Sequence, residues 1–176
     1  IKSAIPVGTA EYLEKKHKKR IVVSPEYYGT TQHSDNSPNF LILGGDIKDC
    51  VKVAQIYYTI KNGKFRIIYT TSKVAEIAKY MENCFLALKV TFCNEFATVA
   101  SEYDIPYELL REVFIMDERM GDSHTFVLEN QKFYNSHCLN KDIPAFLNIA
   151  NGKAPLIEKM YEINKERKKN TNYNLN

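Results

Sequence analysis

Residues 74–103 read VAEIAKYMENCFLALKVTFCNEFATVASEY, and their spacing decides the expected fold. Val74, Ile77, Ala78, Met81, Phe85, Leu88, Phe92, Phe96, Val99 and Tyr103 recur at steps of three and four, the period of one helix face. Ala75, Ala87, Val90, Cys93, Ala97 and Ala100 make a second apolar face, and a helix apolar on two sides must be covered on two sides. About thirty residues at about 1.5 Å each give a rod of roughly 45 Å. That is too long to bury in a monomer of 176 residues, so a second subunit is expected against one face. Glu76, Lys79 and Asn83 share a polar strip on this helix. A lysine and an amide on a mostly buried wall need a partner or a task. A solvent-edge strip with Lys79 snorkelling serves equally well on this helix alone.

The composition is that of an ordinary globular chain, with 44% hydrophobic and 26% charged residues. A net charge of +3 does not by itself point to nucleic acid or membrane, and neither is expected as a partner. Two basic clusters, Lys15–Arg20 and Lys165–Lys169, fall at predicted helix ends, where cations oppose the dipole. Polyanion binding by these clusters is the remote alternative and predicts a steep salt dependence. Cys50, Cys84, Cys93 and Cys138 show neither paired nor metal-type spacing, and no metal is expected. A reducing, cytoplasmic setting fits them. No signal peptide and no apolar run long enough to span a bilayer is read. Ile1 in place of a methionine suggests a processed, excised or partial product.

Along the chain, strands are expected at Ile1–Ile5, Arg20–Val23, Phe40–Leu43 and Phe65–Tyr69. Helices are expected over Thr9–His17, from an Asp46 cap to Ile60, from a Ser72 cap through the long stretch, and from Pro106 to Met116. Two more are expected, from Asp142 and Pro144 to Gly152, and from Pro155 to Lys169. Residues 27–38 and 117–137 read as loops, and Asn62-Gly63 as a turn. The fold class is α/β followed by all-α. The domains read as 1–72 partial α/β with linker, 73–169 a helical domain on one long central helix, and 170–176 a frayed tail.

Six stretches, in order, resemble the UDP-glucose/GDP-mannose dehydrogenase family of nucleotide-sugar 6-dehydrogenases. Lys2-Ser3-Ala4-Ile5-Pro6-Val7-Gly8-Thr9 is similar to K-S-T-V-P-V-G-T, and Ser24-Pro25-Glu26-Tyr27-Tyr28 to S-P-E-F-L. Residues 75–90, AEIAKYMENCFLALKV, resemble A-E-x-x-K-x-x-x-N-x-[FY]-L-A-x-K-[IV], and Asn94-Glu95 continue that helix. Asp117-Glu118-Arg119-Met120-Gly121 resembles D-x-R-I-G, and His137-Cys138-Leu139-Asn140-Lys141-Asp142 resembles S-C-[FL]-P-K-D. The chain departs from the pattern at Ala4, at Thr30 where a second carboxylate is expected, and at Asn140 where proline stands. Phe133-Tyr134-Asn135-Ser136 replace a G-Y-G-G run.

The resemblance implies the end of a Rossmann-like α/β unit joined to a helical dimerisation domain. It implies oxidation of a sugar C6 alcohol to a carboxylate with two NAD, through a thiohemiacetal and a thioester. Cys138 is then the nucleophile, Lys79 and Asn83 stabilise the oxyanion, and Asp142 belongs to a proton relay. Glu26 assists thioester hydrolysis, and Lys141 and Arg119 contact the nucleotide sugar, Arg119 across a homodimer built on the 74–103 helix. None of the seven glycines forms Gly-x-Gly-x-x-Gly, so NAD is implied by the family but not expected to bind this chain alone. Two function classes stay open: the central piece, or a reduced member, of a nucleotide-sugar 6-dehydrogenase, or a catalytically inactive dimeric interaction module derived from one.

Overall fold

The computed structural model describes residues 1–27, 39–60 and 65–173. Among them lie six helices and a two-stranded parallel sheet, with one long central helix. The expected Asn62-Gly63 turn, and the loop from Tyr28 to Pro38 with Thr30, lie outside the described residues. The elements are α1 (Thr9–His17), β1 (Phe40–Gly44), α2 (Ile47–Ile60), β2 (Arg66–Thr70) and α3 (Ser72–Ser101). Then come α4 (Tyr107–Ile115), α5 (His137–Ala150) and α6 (Pro155–Tyr173). The described residues divide into two compact units, one up to Glu82 and the other from Asn83 onward.

In the first unit β1 and β2 pair in parallel, from Phe40 with Arg66 to Gly44 with Thr70. Parallel strands need a crossover, and α2 supplies it. Leu41, Leu43, Cys50 and Ala54 form the core between β1 and α2. Ile1–Ile5 and Arg20–Val23, expected as strands, are not strands. Val23 and Gly44 exchange two N–H···O bonds at 2.8 Å as an isolated bridge, and Ser24 N–H donates to Ile1 O at 2.7 Å. β-prone composition makes a strand only where a ladder continues beyond one or two bonds.

α3 starts where expected, but its cap is Thr71, whose Oγ1 accepts from Val74 N–H at 3.3 Å. Its entry depends on Gly44. A Cβ there would lie 2.6 Å from both Ala75 Cβ and Thr71 O, so the strand end and the helix start touch only through glycine. Glu76 explains part of the polar strip. It is 1% exposed and accepts from Gly8 N–H at 2.6 Å and Ala10 N–H at 2.9 Å. A carboxylate thus caps α1, whose own N-cap is a glycine without a side chain.

In the second unit Cys84, Ala87, Tyr134, Leu139, Ile143 and Met160 form the core between α3, α5 and α6. α5 begins five residues earlier than Asp142. Ser136 is its N-cap, its hydroxyl accepting from Leu139 N–H at 3.2 Å, and Pro144 lies inside the helix instead of opening it. α6 runs to Tyr173, four residues past the expected end at Lys169, so the expected tail from Asn170 is helical up to that point.

The two apolar faces of α3 differ. Ala75, Ala87, Cys93, Ala97 and Ala100 are buried within the chain, whereas Met81, Phe85, Phe92, Phe96 and Val99 are exposed, as is Tyr103, which lies beyond the helix end at Ser101. By length and composition α3 could cross a membrane, contrary to the sequence reading. Its buried small-residue face marks it as a core helix. Gly44→Ala is expected to lower the unfolding free energy by about 2 kcal/mol, because backbone and Ala75 must give way. Urea unfolding measures it, and an unchanged midpoint would show that the close approach carries no weight.

Candidate active site

The site residues implied by the sequence divide between the two units. In the first, Lys79 is held on two sides. Its Nζ pairs with Glu82 Oε2 at 2.5 Å and lies 4.6 Å from the centre of the Tyr27 ring. A carboxylate and a π face thus flank the ammonium. Burial pushes the Tyr27 hydroxyl up to about 12, and the Glu82 charge adds to that. Glu26, one residue earlier, is exposed, and its backbone N–H donates to Lys2 O at 3.2 Å.

In the second unit Asn83 and Asp142, fifty-nine positions apart, meet. Asn83 Nδ2 donates to Asp142 Oδ2 at 2.7 Å, and both side chains are nearly inaccessible, at 3% exposure each. Lys141 Nζ pairs with the other oxygen, Oδ1. The buried carboxylate therefore has one neutral donor and one cation, the condition for burying a charge. Cys138 stands in the first turn of α5, one turn before Asp142, and is the only exposed cysteine of the four. Cys84 is buried nearer the core. Its thiol is pushed up to about 11, first by burial and then by the Asp142 charge.

Arg119 is not gathered with these groups. It is exposed and forms a two-pronged pair with Asp117, Nε to Oδ1 at 2.9 Å and Nη2 to Oδ2 at 2.5 Å. That pairing holds the Asp117 carboxyl below its usual range. Lys89 fixes the segment carrying Arg119, donating to Met120 O at 3.0 Å and Gly121 O at 3.1 Å. Burial lowers the Lys89 ammonium, partly opposed by the Cys93 and Asp122 charges. No three His, Cys, Asp or Glu side chains gather as metal ligands among the described residues.

Sequence reading missed Glu82 and Tyr27 around Lys79, Lys89 below the Arg119 segment, and Asn164, which binds the backbone of Tyr134. A signal for Asn164 was available. It continues the stripe Ile157, Met160, Tyr161 at helical spacing, a polar residue on an apolar face. Asn83→Leu is expected to cost about 2 kcal/mol, because it leaves the buried Asp142 short of a donor. Combined with Asp142→Leu it should cost less than the two losses added together. Urea unfolding of the four proteins measures this, and strict additivity would show no coupling.

Residues 73–166, more than half the chain, match the central domain of the UDP-glucose/GDP-mannose dehydrogenase family. The chain is 25% identical over 183 aligned residues to UDP-glucose 6-dehydrogenase of Rhizobium meliloti, covering 96% of this chain and 41% of that protein. It is 31% identical to UDP-N-acetyl-D-mannosamine dehydrogenase of Methanocaldococcus jannaschii, covering 93% of this chain and 38% of that one. The fold is similar to that of a UDP-glucose dehydrogenase from Pyrobaculum islandicum, with TM-score 0.78 and 20% identity over 94% of this chain and 40% of that one. The chain thus spans about two-fifths of the length of these relatives. On the family match and the ordered motifs that it contains, the chain belongs to the UDP-glucose/GDP-mannose dehydrogenase family.

Proposed function

We propose that this chain is the central, cysteine-bearing part of an NAD-dependent nucleotide-sugar 6-dehydrogenase of cytoplasmic setting, acting as a homodimer. In this reading residues 1–72 end a dinucleotide-binding domain and 73–169 form the dimerising, catalytic-cysteine domain. The observation that carries it is the Asn83–Asp142 hydrogen bond. Helical periodicity gives no reason for these two residues to meet, whereas descent from a shared active site does.

The Cys138 thiolate adds to the C6 aldehyde carbon, and the aldehyde oxygen takes up negative charge. Lys79 and Asn83 donate to that oxygen and stabilise it. Asp142, held by Asn83, and Glu26 then orient and deprotonate the water that hydrolyses the thioester. Lys141 and Arg119 bind the nucleotide sugar, Arg119 from the other copy. NAD, when bound, accepts the hydrides. None of the seven glycines of this chain forms the Gly-x-Gly-x-x-Gly phosphate-binding loop.

The test uses the protein that carries this chain, supplied with NAD and UDP-glucose or UDP-N-acetylmannosamine. NADH should form, and Cys138→Ser should slow it by at least about 10³-fold. NADH formation undiminished in Cys138→Ser would overturn the assignment.

The second reading is a dimeric module without catalysis, and it too uses the open face of α3. Phe92 and Phe96 line an apolar cavity of about 130 Å³ together with Tyr107, Leu110 and Phe114. An aromatic face of this extent fits a second copy. Both readings require the dimer. Sedimentation should show one at micromolar concentration, and Phe92→Asp with Val99→Asp should split it, since each would bury an unpaired charge. Ala97 and Ala100 lie inside the chain, so charges there would unfold it instead. A wild-type monomer under these conditions would remove the interface.

A further inference from the structure

The segment before Cys138 is tied to α6 at every residue from Lys132 to Asn135 except Phe133. Asn164, 5% exposed, uses both ends of its amide on one residue. Its Oδ1 accepts from Tyr134 N–H at 2.8 Å, and its Nδ2 donates to Tyr134 O at 3.2 Å. A side-chain amide here imitates the edge of a neighbouring strand. One turn further on, Arg167 Nη1 donates to Lys132 O at 3.4 Å, and Lys168 Nζ donates to Asn135 Oδ1 at 3.2 Å. Asn135 Oδ1 also accepts from Asn140 Nδ2 at 2.9 Å. Asn135 and Asn140 stand where the family pattern has glycine and proline, so two departures from that pattern bond to each other. Ser136, at a third, caps α5.

We propose that Asn164 is a positioning residue for the nucleophile. Its two hydrogen bonds to Tyr134, extended by Arg167 and Lys168, fix residues 132–136 and so the first turn of α5 that presents Cys138. The side-chain splint takes the place of a glycine run. A glycine run lets the backbone approach a ligand closely but is free to move, whereas the splinted segment is rigid and carries bulk. The inference rests on the proposed role of Cys138, but its test reads position and not chemistry.

A nitroxide is attached to Cys138, the buried cysteines being protected in the folded protein. In the wild type its spectrum should be that of a restricted label, and the Tyr134 amide should be protected from hydrogen exchange. Asn164→Leu, close in volume, should mobilise the label and speed Tyr134 exchange by about tenfold or more, with exchange at Ala87 in α3 unchanged. Asn164→Asp gives a signature that simple loss of packing would not. At this buried position desolvation favours the neutral carboxyl, which has a carbonyl acceptor and a hydroxyl donor, so at about pH 4 it should reproduce the wild-type spectrum. By about pH 8 the ionised form still accepts from Tyr134 N–H but has no donor for Tyr134 O, and the label should be more mobile than at about pH 4. A label already mobile in the wild type, or unchanged Tyr134 exchange in Asn164→Leu, would overturn the proposal. So would equal acceleration throughout the chain, which would mark a role in stability alone. Should Asn164→Leu fail to fold, Asn164→Asp decides, and a response without pH dependence would overturn it. NADH formation lost in Cys138→Ser with Tyr134 exchange indifferent to residue 164 would sink this inference and leave the proposed function standing.

Discussion

A polar group on the inner side of a long helix must find its partner inside the protein, and α3 carries several such groups. Three of them are answered by segments distant in sequence. Glu76 takes the free N–H groups at the start of α1, Asn83 takes Asp142 of α5, and Lys89 takes the carbonyls of Met120 and Gly121. Apolar contacts are non-directional and would tolerate sliding along the rod. Hydrogen bonds do not, and an unpaired member costs its full desolvation. The polar residues of α3 therefore set the register at which the other elements attach, and the apolar residues supply the bulk of the stabilisation.

Four charged residues of the candidate site are accompanied. Lys79 has Glu82 and the Tyr27 ring, Asp142 has Asn83 and Lys141, and Arg119 has Asp117. Such pairing keeps opposite charges in place without substrate. It also means that an incoming anion competes with a resident carboxylate for Lys79 and for Arg119. An anion meeting either cation would exchange partners with it, so its net gain would be smaller than the bare charge attraction.

Much of this was legible in the sequence because it rested on periodicity and local chemistry. The 3.6-residue pattern located α3, and the Gly8 turn and the Asp46 cap located α1 and α2. What misled was local preference without its tertiary context. Ile21-Val22-Val23 is β-prone, yet it finds a single bridge at Val23. Pro144 has the chemistry of a first turn, yet Ser136 had already capped the helix and Leu139 and Ile143 are buried in its core. For the site, the resemblance picked out Asn83 and Asp142, which the structure joins. Glu82 lies one turn from Lys79, within reach of the same helical spacing, whereas the Tyr27 ring beside Lys79 and the Tyr134 partner of Asn164 depend on which distant segments come together.

Pro144 has one further consequence. Lacking an N–H, it leaves the carbonyl four residues earlier, that of Asn140, without its helical donor. The gap falls between the part of α5 that carries Cys138, Lys141 and Asp142 and the part that packs onward to Ala150. The first two turns are thus joined to the rest of the helix by a weakened seam. They are held across it by side chains, because Leu139 and Ile143 are buried in the core and Asp142 is bonded to Asn83 and Lys141. A helix interrupted at that point relies on those side-chain contacts, more than on its own backbone ladder, to hold the turn that bears the thiol.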